Sequence, residues 1–182
     1  MSKTFQVISP VDNSIYLERE IAQDSQIEKT LDKSQKAFVS WKQTSIADRA
    51  QICHRAVEYF LNNVDDIAKE LTWQMGRPIQ YSPYEISKGL KERADYMIGI
   101  AEGTLKDVQI PEIEGFIRYV KREPLGTVFV LAPWNYPFLT SVNAIIPALM
   151  AGNTVILKHA KQTPLCAERY AAAFKHAGIP DG

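Results

Sequence analysis

The chain has 182 residues, of which 46% are hydrophobic and 23% charged, values that are ordinary for a soluble globular protein. Lys plus Arg and Asp plus Glu each number 21, so the formal net charge is zero. Composition therefore supplies no basic field that would hold nucleic acid or an anionic membrane surface.

The cysteines and the N-terminal segment indicate a cytoplasmic protein. Cys53 and Cys166 lie far apart without CxxC spacing, which argues against a disulfide scaffold or a zinc ribbon. Residues 1–6 lack the apolar core of a signal peptide, and the longest apolar stretch, 127–132, is too short to span a bilayer. We therefore expect no membrane partner. The three histidines show no metal-ligand spacing, so we also expect no metal site.

The chain begins with a predicted hairpin and an amphipathic helix. Residues 3–22 alternate weakly around the turn signal Pro10–Asn13, which favours two short strands. The segment from Asp24 has a helical rhythm, and its apolar stripe should be buried. The stripe consists of Ile27, Leu31, Ala37, Phe38 and Trp41.

Three more helices are expected before residue 104. Ser45 is expected to cap the second helix, and Asn63 the third, which Gly76 ends. The fourth runs from about Pro83 to Ala101. Its buried stripe should consist of Ile86, Leu90, Ala94, Met97 and Ala101.

The pattern then changes to strands. Leu105–Lys121 reads as two strands of a ribbon joined by an acidic turn, and Pro111 places at least one of them at an edge. After Gly126 the pattern is strand 126–132, helix 138–151, strand 153–158 and helix 164–177. This βαβ order predicts a parallel sheet, whose apolar first strand should be buried.

Two polar side chains follow the strands of this parallel pair. Asn135 lies in the loop after the first strand, and Lys158 ends the second. In open α/β sheets, ligands bind beyond the carboxyl ends of the strands. Asn135 and Lys158 are therefore expected to face one binding cleft.

Seven motifs in one order and at compatible spacing give the chain a family resemblance. They are Phe38…Trp41, the helix with Arg49, Met75–Pro78, Arg122–Gly126, Pro133–Pro137, Ala148–Val155 and Ala177–Gly182. Together they resemble the N-terminal portion of the aldehyde dehydrogenase superfamily. That family oxidises aldehydes to carboxylates with a nicotinamide cofactor through a covalent cysteine thioester. The run Lys158-His159-Ala160 also resembles the succinate-semialdehyde branch.

The resemblance implies roles for individual residues. Asn135 would donate its side-chain amide to the substrate oxygen as it becomes an oxyanion, and would adjoin the cofactor. Lys158 would bond the adenosine ribose hydroxyls. The residues that would line the cofactor cleft are Leu131, Ala132, Pro133 and Trp134. Without the surrounding motif, Asn135 would be interpreted as a residue that only forms the loop, and Lys158 as a solvated lysine at the end of a strand.

Lys161 stands where the family often has an acidic residue that favours NAD. A carboxylate would repel a 2′-phosphate, whereas a lysine could pair with it, so the cofactor is expected to be NADP or NAD. The alternative for Lys161 is a solvated charge at a helix entry.

We therefore expect an α/β protein with an aldehyde dehydrogenase-like fold. Residues 1–103 would form a helical part, 104–122 a β-ribbon arm for homo-oligomers, and 123–182 the truncated first half of a Rossmann-like domain. The family's nucleophilic cysteine and general-base glutamate would lie beyond this chain, leaving it inactive alone. A helix start can lower a thiol pKa, so mild reactivity of Cys166 stays open.

Two other interpretations remain. One is a non-catalytic remnant that acts as a nucleotide-binding or interaction module. The other is an unrelated α/β binding protein whose Pro-Trp-Asn loop is structural, which would require seven coincident motifs.

Overall fold

The structure, a computed structural model, describes residues 3–182. Its elements follow the predicted order, and the hairpin, the ribbon and the final strand–helix–strand–helix unit are confirmed. In chain order they are β1 (Thr4–Ile8), β2 (Ile15–Glu20), α1 (Asp24–Trp41), α2 (Ile46–Asn62), α3 (Val64–Met75), α4 (Ser82–Tyr84), a π-helix (Glu85–Leu90), α5 (Lys91–Thr104), β3 (Val108–Gln109), β4 (Tyr119–Val120), β5 (Thr127–Leu131), α6 (Pro137–Met150), β6 (Thr154–Lys158) and α7 (Leu165–Ala177).

Local signals explain two of the three predicted helix ends around α2 and α3. The Ser45 hydroxyl accepts a hydrogen bond from the Asp48 N–H at 3.0 Å, which caps α2 as predicted. Gly76 ends α3 with a φ of 77°, a left-handed conformation that glycine adopts without strain. Asn63 occupies the predicted N-cap position of α3, but its side chain makes no capping hydrogen bond there. Its carboxamide donates to the Tyr59 carbonyl at 2.8 Å, so it serves the end of α2 instead.

The prediction that the apolar stripe of α1 is buried is wrong for the first half of the helix. Ile27 and Leu31 are 47% and 42% exposed, whereas Trp41 is buried. The second half is attached to the parallel strands and α6: the Ser34 hydroxyl donates to the Thr154 hydroxyl at 2.8 Å, and the Trp41 indole lies against α6. Periodicity therefore identified the apolar face, but the neighbouring elements cover only part of it.

The fourth predicted helix is interrupted by a π-turn that its sequence did not indicate. The segment 82–104 passes from α4 through the π-helix into α5. Ile86, Leu90 and Ala94 are buried as predicted, but Ile98 takes a buried position where Met97 was expected, and Met97 is half-buried. The π-turn places Glu85 and Gly89 against the start of α6.

The two last strands pair in parallel, from Thr127 opposite Thr154 to Leu131 opposite Lys158. The prediction that the first strand is buried is wrong for one of its two faces. Val130 is buried, but Phe129 is 62% and Leu131 68% exposed. Because side chains alternate along a strand, the face of β5 that carries Val130 packs inward, while the other face stays uncovered within the described residues.

The core lies among α2, α5, α6 and α7. Phe60, Phe138 and Tyr170 form an aromatic cluster with ring centroids 5.0–5.6 Å apart. The buried Tyr170 hydroxyl donates to the Phe138 carbonyl at 3.2 Å and accepts from Ser141 at 3.0 Å. This cluster fixes the first turn of α6, which directly follows the candidate site.

The ribbon is short and exposed. Its strands pair antiparallel through Val108 opposite Val120 and Gln109 opposite Tyr119. Phe116 is 69% and Ile117 is 95% exposed. No helix within residues 3–182 is long and apolar enough to cross a membrane. The division at residues 103 and 122 stays a prediction.

Candidate functional site

The carboxyl ends of β5 and β6 lie side by side. Leu131 is opposite Lys158, and the Ala132 N–H donates to the Lys158 carbonyl at 3.2 Å. The loop that leaves β5 at this point carries Pro133, Trp134 and Asn135 before α6 begins. The structure thus brings the predicted residues Leu131–Asn135 and Lys158 to one edge of the sheet.

Most of these residues are open to solvent. Asn135 and Lys158 are exposed, and Trp134 is 53% exposed. Ala132 is buried, so the backbone between strand and loop is anchored while the side chains beyond it stay accessible. The edge combines apolar surface, an amide and a cation, a set of groups suited to a nucleotide and a polar reacting group.

Arg77 holds the loop from the side of α3. Its guanidinium donates to the Asn135 carbonyl at 2.5 Å and lies 4.6 Å from the centre of the Tyr136 ring. The same guanidinium forms an ion pair with the buried Glu85 carboxylate. A planar, forked cation can make these three contacts together.

Glu85 holds the beginning of α6. Its Oε1 accepts from the N–H groups of Phe138 at 2.8 Å and Leu139 at 3.1 Å. These N–H groups belong to the first turn, where a helix has no acceptors of its own. The residue at the N-cap position, Tyr136, provides no side-chain cap. Glu85 was not predicted as a site residue, because nothing in its local sequence pattern shows that it reaches an element more than fifty residues away.

Lys161 lies apart from the loop contacts. It is exposed on the turn after β6, with its Nζ 5.4 Å from the centre of the Phe5 ring. A cation over an aromatic face is weakly attracted to it, which gives Lys161 a preferred direction. The side chain is accessible to a ligand at the same end of β6 as Lys158.

His159 is a buried neutral residue beside this edge. Its Nδ1 accepts from the Ala160 N–H at 3.0 Å, so in the neutral ring the proton is on Nε2. The Thr163 hydroxyl lies 3.1 Å from the same Nδ1. Burial lowers the pKa of His159 to about 4, so it is uncharged near neutral pH and supports the turn rather than acting as a general acid.

Neither cysteine is suited to nucleophilic chemistry. Cys53 and Cys166 are 0% and 1% exposed. Burial raises the pKa of the Cys53 thiol to about 12 and that of Cys166 well above its ordinary value. The expectation that Cys166 could be mildly reactive is wrong, because desolvation raises its thiol pKa by more than the helix start could lower it. Within residues 3–182 no cluster of His, Cys, Asp or Glu could hold a metal ion.

Comparison with known proteins decides the family. The model of the aldehyde dehydrogenase family matches residues 1–182. The chain belongs to this family. It is 33% identical over 163 residues to an aldehyde dehydrogenase of Paenarthrobacter nicotinovorans, covering 86% of this chain and 35% of that protein. As predicted, the resemblance concerns the N-terminal portion of these aldehyde dehydrogenases.

Solved structures of aldehyde dehydrogenases share the fold. PnpE in complex with nicotinamide adenine dinucleotide has a TM-score of 0.88 and 27% identity, over 98% of this chain and 37% of that one. Succinate-semialdehyde dehydrogenase of Burkholderia pseudomallei has a TM-score of 0.91 and 25% identity, with the same shares of the two chains. The chain therefore spans little more than a third of the length of these relatives. The assignment of this chain to the succinate-semialdehyde branch stays a prediction.

Proposed function

We propose that this chain is the N-terminal part of an oxidoreductase that converts an aldehyde to a carboxylate with NAD(P)+. One observation carries the proposal: the loop with Asn135 leaves β5 beside Lys158 at the carboxyl end of the parallel pair. Membership of the aldehyde dehydrogenase family supports aldehyde oxidation as the reaction proposed for this edge of the sheet.

Asn135 would act as the oxyanion donor. A neutral amide stabilises developing charge on a carbonyl oxygen without adding a group that titrates. Loss of one such donor typically costs about 2.7–4 kcal/mol in the transition state. Its accessible position after β5 and the fixed carbonyl of the same residue support this role.

The edge also fits one end of a nicotinamide cofactor, which supplies hydride acceptance when bound. Lys158 would bond the ribose hydroxyls, and the apolar surface of Leu131 and Trp134 would border the cleft. Lys161, accessible at the same strand end, would favour a 2′-phosphate by charge. We propose NADP or NAD as the cofactor, with the balance between them set in part by Lys161. The relative solved with NAD is consistent with this class of ligand.

The isolated chain is proposed to be inactive, because both of its thiols are buried and protonated. Purified chain would be incubated with a panel of aldehydes and either cofactor, and reduced nicotinamide followed by absorbance. We expect no turnover. Turnover that disappears on changing Cys53 or Cys166 would refute this assignment of the thiols.

The role of Asn135 is tested in the complete enzyme. Asn135→Ala should lower kcat and kcat/KM together and leave cofactor affinity nearly unchanged, the pattern of an interaction made in the transition state. Asn143→Ala is a matched control, since Asn143 is an exposed asparagine on α6 whose amide donates to the Leu139 carbonyl. An effect confined to cofactor binding would place Asn135 in the cofactor site alone.

The alternative function is a non-catalytic nucleotide-binding or interaction module. Titration of the isolated chain with NAD+ and NADP+, followed by the fluorescence of the exposed Trp134, separates the two. The Trp134→Phe variant is the control for signal from Trp41 and Trp73. Nucleotide binding by the chain, with no aldehyde turnover by a longer protein that contains it, would favour the module.

We also propose that residues 104–122 form the arm through which the chain joins a second copy. Exposed apolar side chains on a two-stranded ribbon support this, because such a ribbon is marginal in water by itself. Within this segment Ile117 is 95% exposed, and a partner surface would cover it.

A further inference from the structure

The loop that carries Asn135 is fixed from two sides. On one side, the Arg77 guanidinium binds the Asn135 carbonyl and stacks on the Tyr136 ring. On the other side, Glu85 accepts two N–H groups from the first turn of α6. Asn135 is therefore held at its own carbonyl, and the next anchored groups, the N–H groups of Phe138 and Leu139, follow within four residues, which leaves its backbone little freedom.

Arg77 and Glu85 form one unit. They make an ion pair in which the side chains are only 11% and 1% exposed. A carboxylate this deeply buried requires partners, and its oxygens are divided between Arg77 and the α6 amides. Breaking either contact leaves a buried charge uncompensated, so the unit holds the loop and α6 together.

The π-helix brings Glu85 to this position. Glu85 is its first residue, and Gly89 lies against the first turn of α6. A Cβ added at Gly89 would lie 2.4 Å from Leu139 Cδ1, so any side chain there would displace Leu139. Short π-helical turns are rare and frequently occur at functional sites. The close approach allows a carboxylate from a neighbouring helix to cap α6.

We propose that the Arg77–Glu85 pair is a positioning device that sets the direction of the Asn135 amide. The inference rests on the proposed role of Asn135 in the reaction. In this proposal Arg77 and Glu85 are positioning residues: Arg77 acts through the Asn135 carbonyl, and Glu85 acts through the N–H groups that follow the donor. Geometric error matters at such a site, since a displacement of about 1 Å can cost roughly 100-fold in rate.

The first test uses the 182-residue chain and NMR relaxation. We expect Glu85→Gln and Arg77→Lys to lower the backbone order parameters of Asn135 and Tyr136 from about 0.85 towards about 0.6. Amide exchange at Phe138 and Leu139 should become faster in Glu85→Gln. An unchanged loop in both variants would overturn the proposal.

A matched control is the ion pair between Glu70 and Arg169. It has partly buried side chains, 20% and 21% exposed, and bidentate contacts at 2.5 and 2.9 Å. Glu70→Gln should leave the Asn135 loop unchanged. If Glu85→Gln does not fold, Arg77→Lys decides, because it leaves the bonds from Glu85 to α6 in place.

The second test uses a double-mutant cycle in the complete enzyme. Glu85→Gln should lower kcat about 10- to 100-fold with little change in cofactor KM. In an Asn135→Ala background it should have almost no further effect, since the group to be positioned is gone. Equal losses in both backgrounds would show a merely structural role and overturn the proposal. If Asn135→Ala alone leaves kcat unchanged, the proposed function fails, whereas the NMR result on loop order stands independently.

Discussion

His159 should make the stability of the folded chain depend on pH. The residue is 8% exposed, and its ring Nδ1 contacts the Ala160 N–H and the Thr163 hydroxyl. Protonation would place a charge in a buried site and break the bond at Nδ1. Burial therefore lowers the pKa of His159 to about 4, with a smaller contribution from the positive charge of Lys158.

The size of the effect follows from linkage. The unfolded chain binds a proton at His159 near its ordinary pKa of about 6.5, whereas the folded chain binds it only near 4. Between these values the unfolded state holds more protons, so the free energy of unfolding falls as the pH is lowered. The loss is about 2 kcal/mol at about pH 5 and approaches roughly 3.4 kcal/mol once the pH falls below 4.

Urea unfolding at about pH 7.5 and about pH 5 measures this difference by linear extrapolation. In His159→Gln, which has no titrating group at this position, the loss of stability between the two pH values should be smaller by about 2 kcal/mol. His176→Gln removes an exposed histidine and serves as the control. Equal losses in wild type and His159→Gln would refute the assignment of His159 as a buried neutral group.

Three further predictions follow from exposure and charge. Cys53 and Cys166 should react with thiol reagents only after unfolding, because both are buried; rapid labelling of the folded chain would contradict this. Lys161→Glu should raise the preference for NAD over NADP roughly tenfold or more, which is the scale of one charge-assisted hydrogen bond. The control variant Lys175→Glu should leave this preference unchanged. An unchanged ratio in Lys161→Glu would exclude a contact between Lys161 and the 2′-phosphate. Ile117→Asp should weaken self-association in light scattering across a concentration series, and a wild-type chain that is monomeric throughout would contradict the ribbon interface.

Local patterns were enough to predict the order of elements and the place of the candidate site. Turn residues and apolar periodicity act within a few positions, so Ser45, Gly76 and the strand–helix–strand–helix unit could be read directly. The parallel pairing of β5 and β6 then followed from the connecting helix. It put Asn135 and Lys158 at one edge of the sheet without any knowledge of packing.

The contacts of Glu85 and the burial of individual side chains depend on residues distant in the chain, and no local sequence pattern predicts them. Glu85 is an ordinary helix residue in sequence, and only the folded chain brings it to the amides of Phe138 and Leu139. His159 follows an exposed lysine, yet it is buried with its pKa lowered. The outer turns of α1 and the Phe129 face of β5 are apolar but uncovered by residues 3–182. Burial depends on which surfaces meet in three dimensions, and residues distant in the chain supply those surfaces.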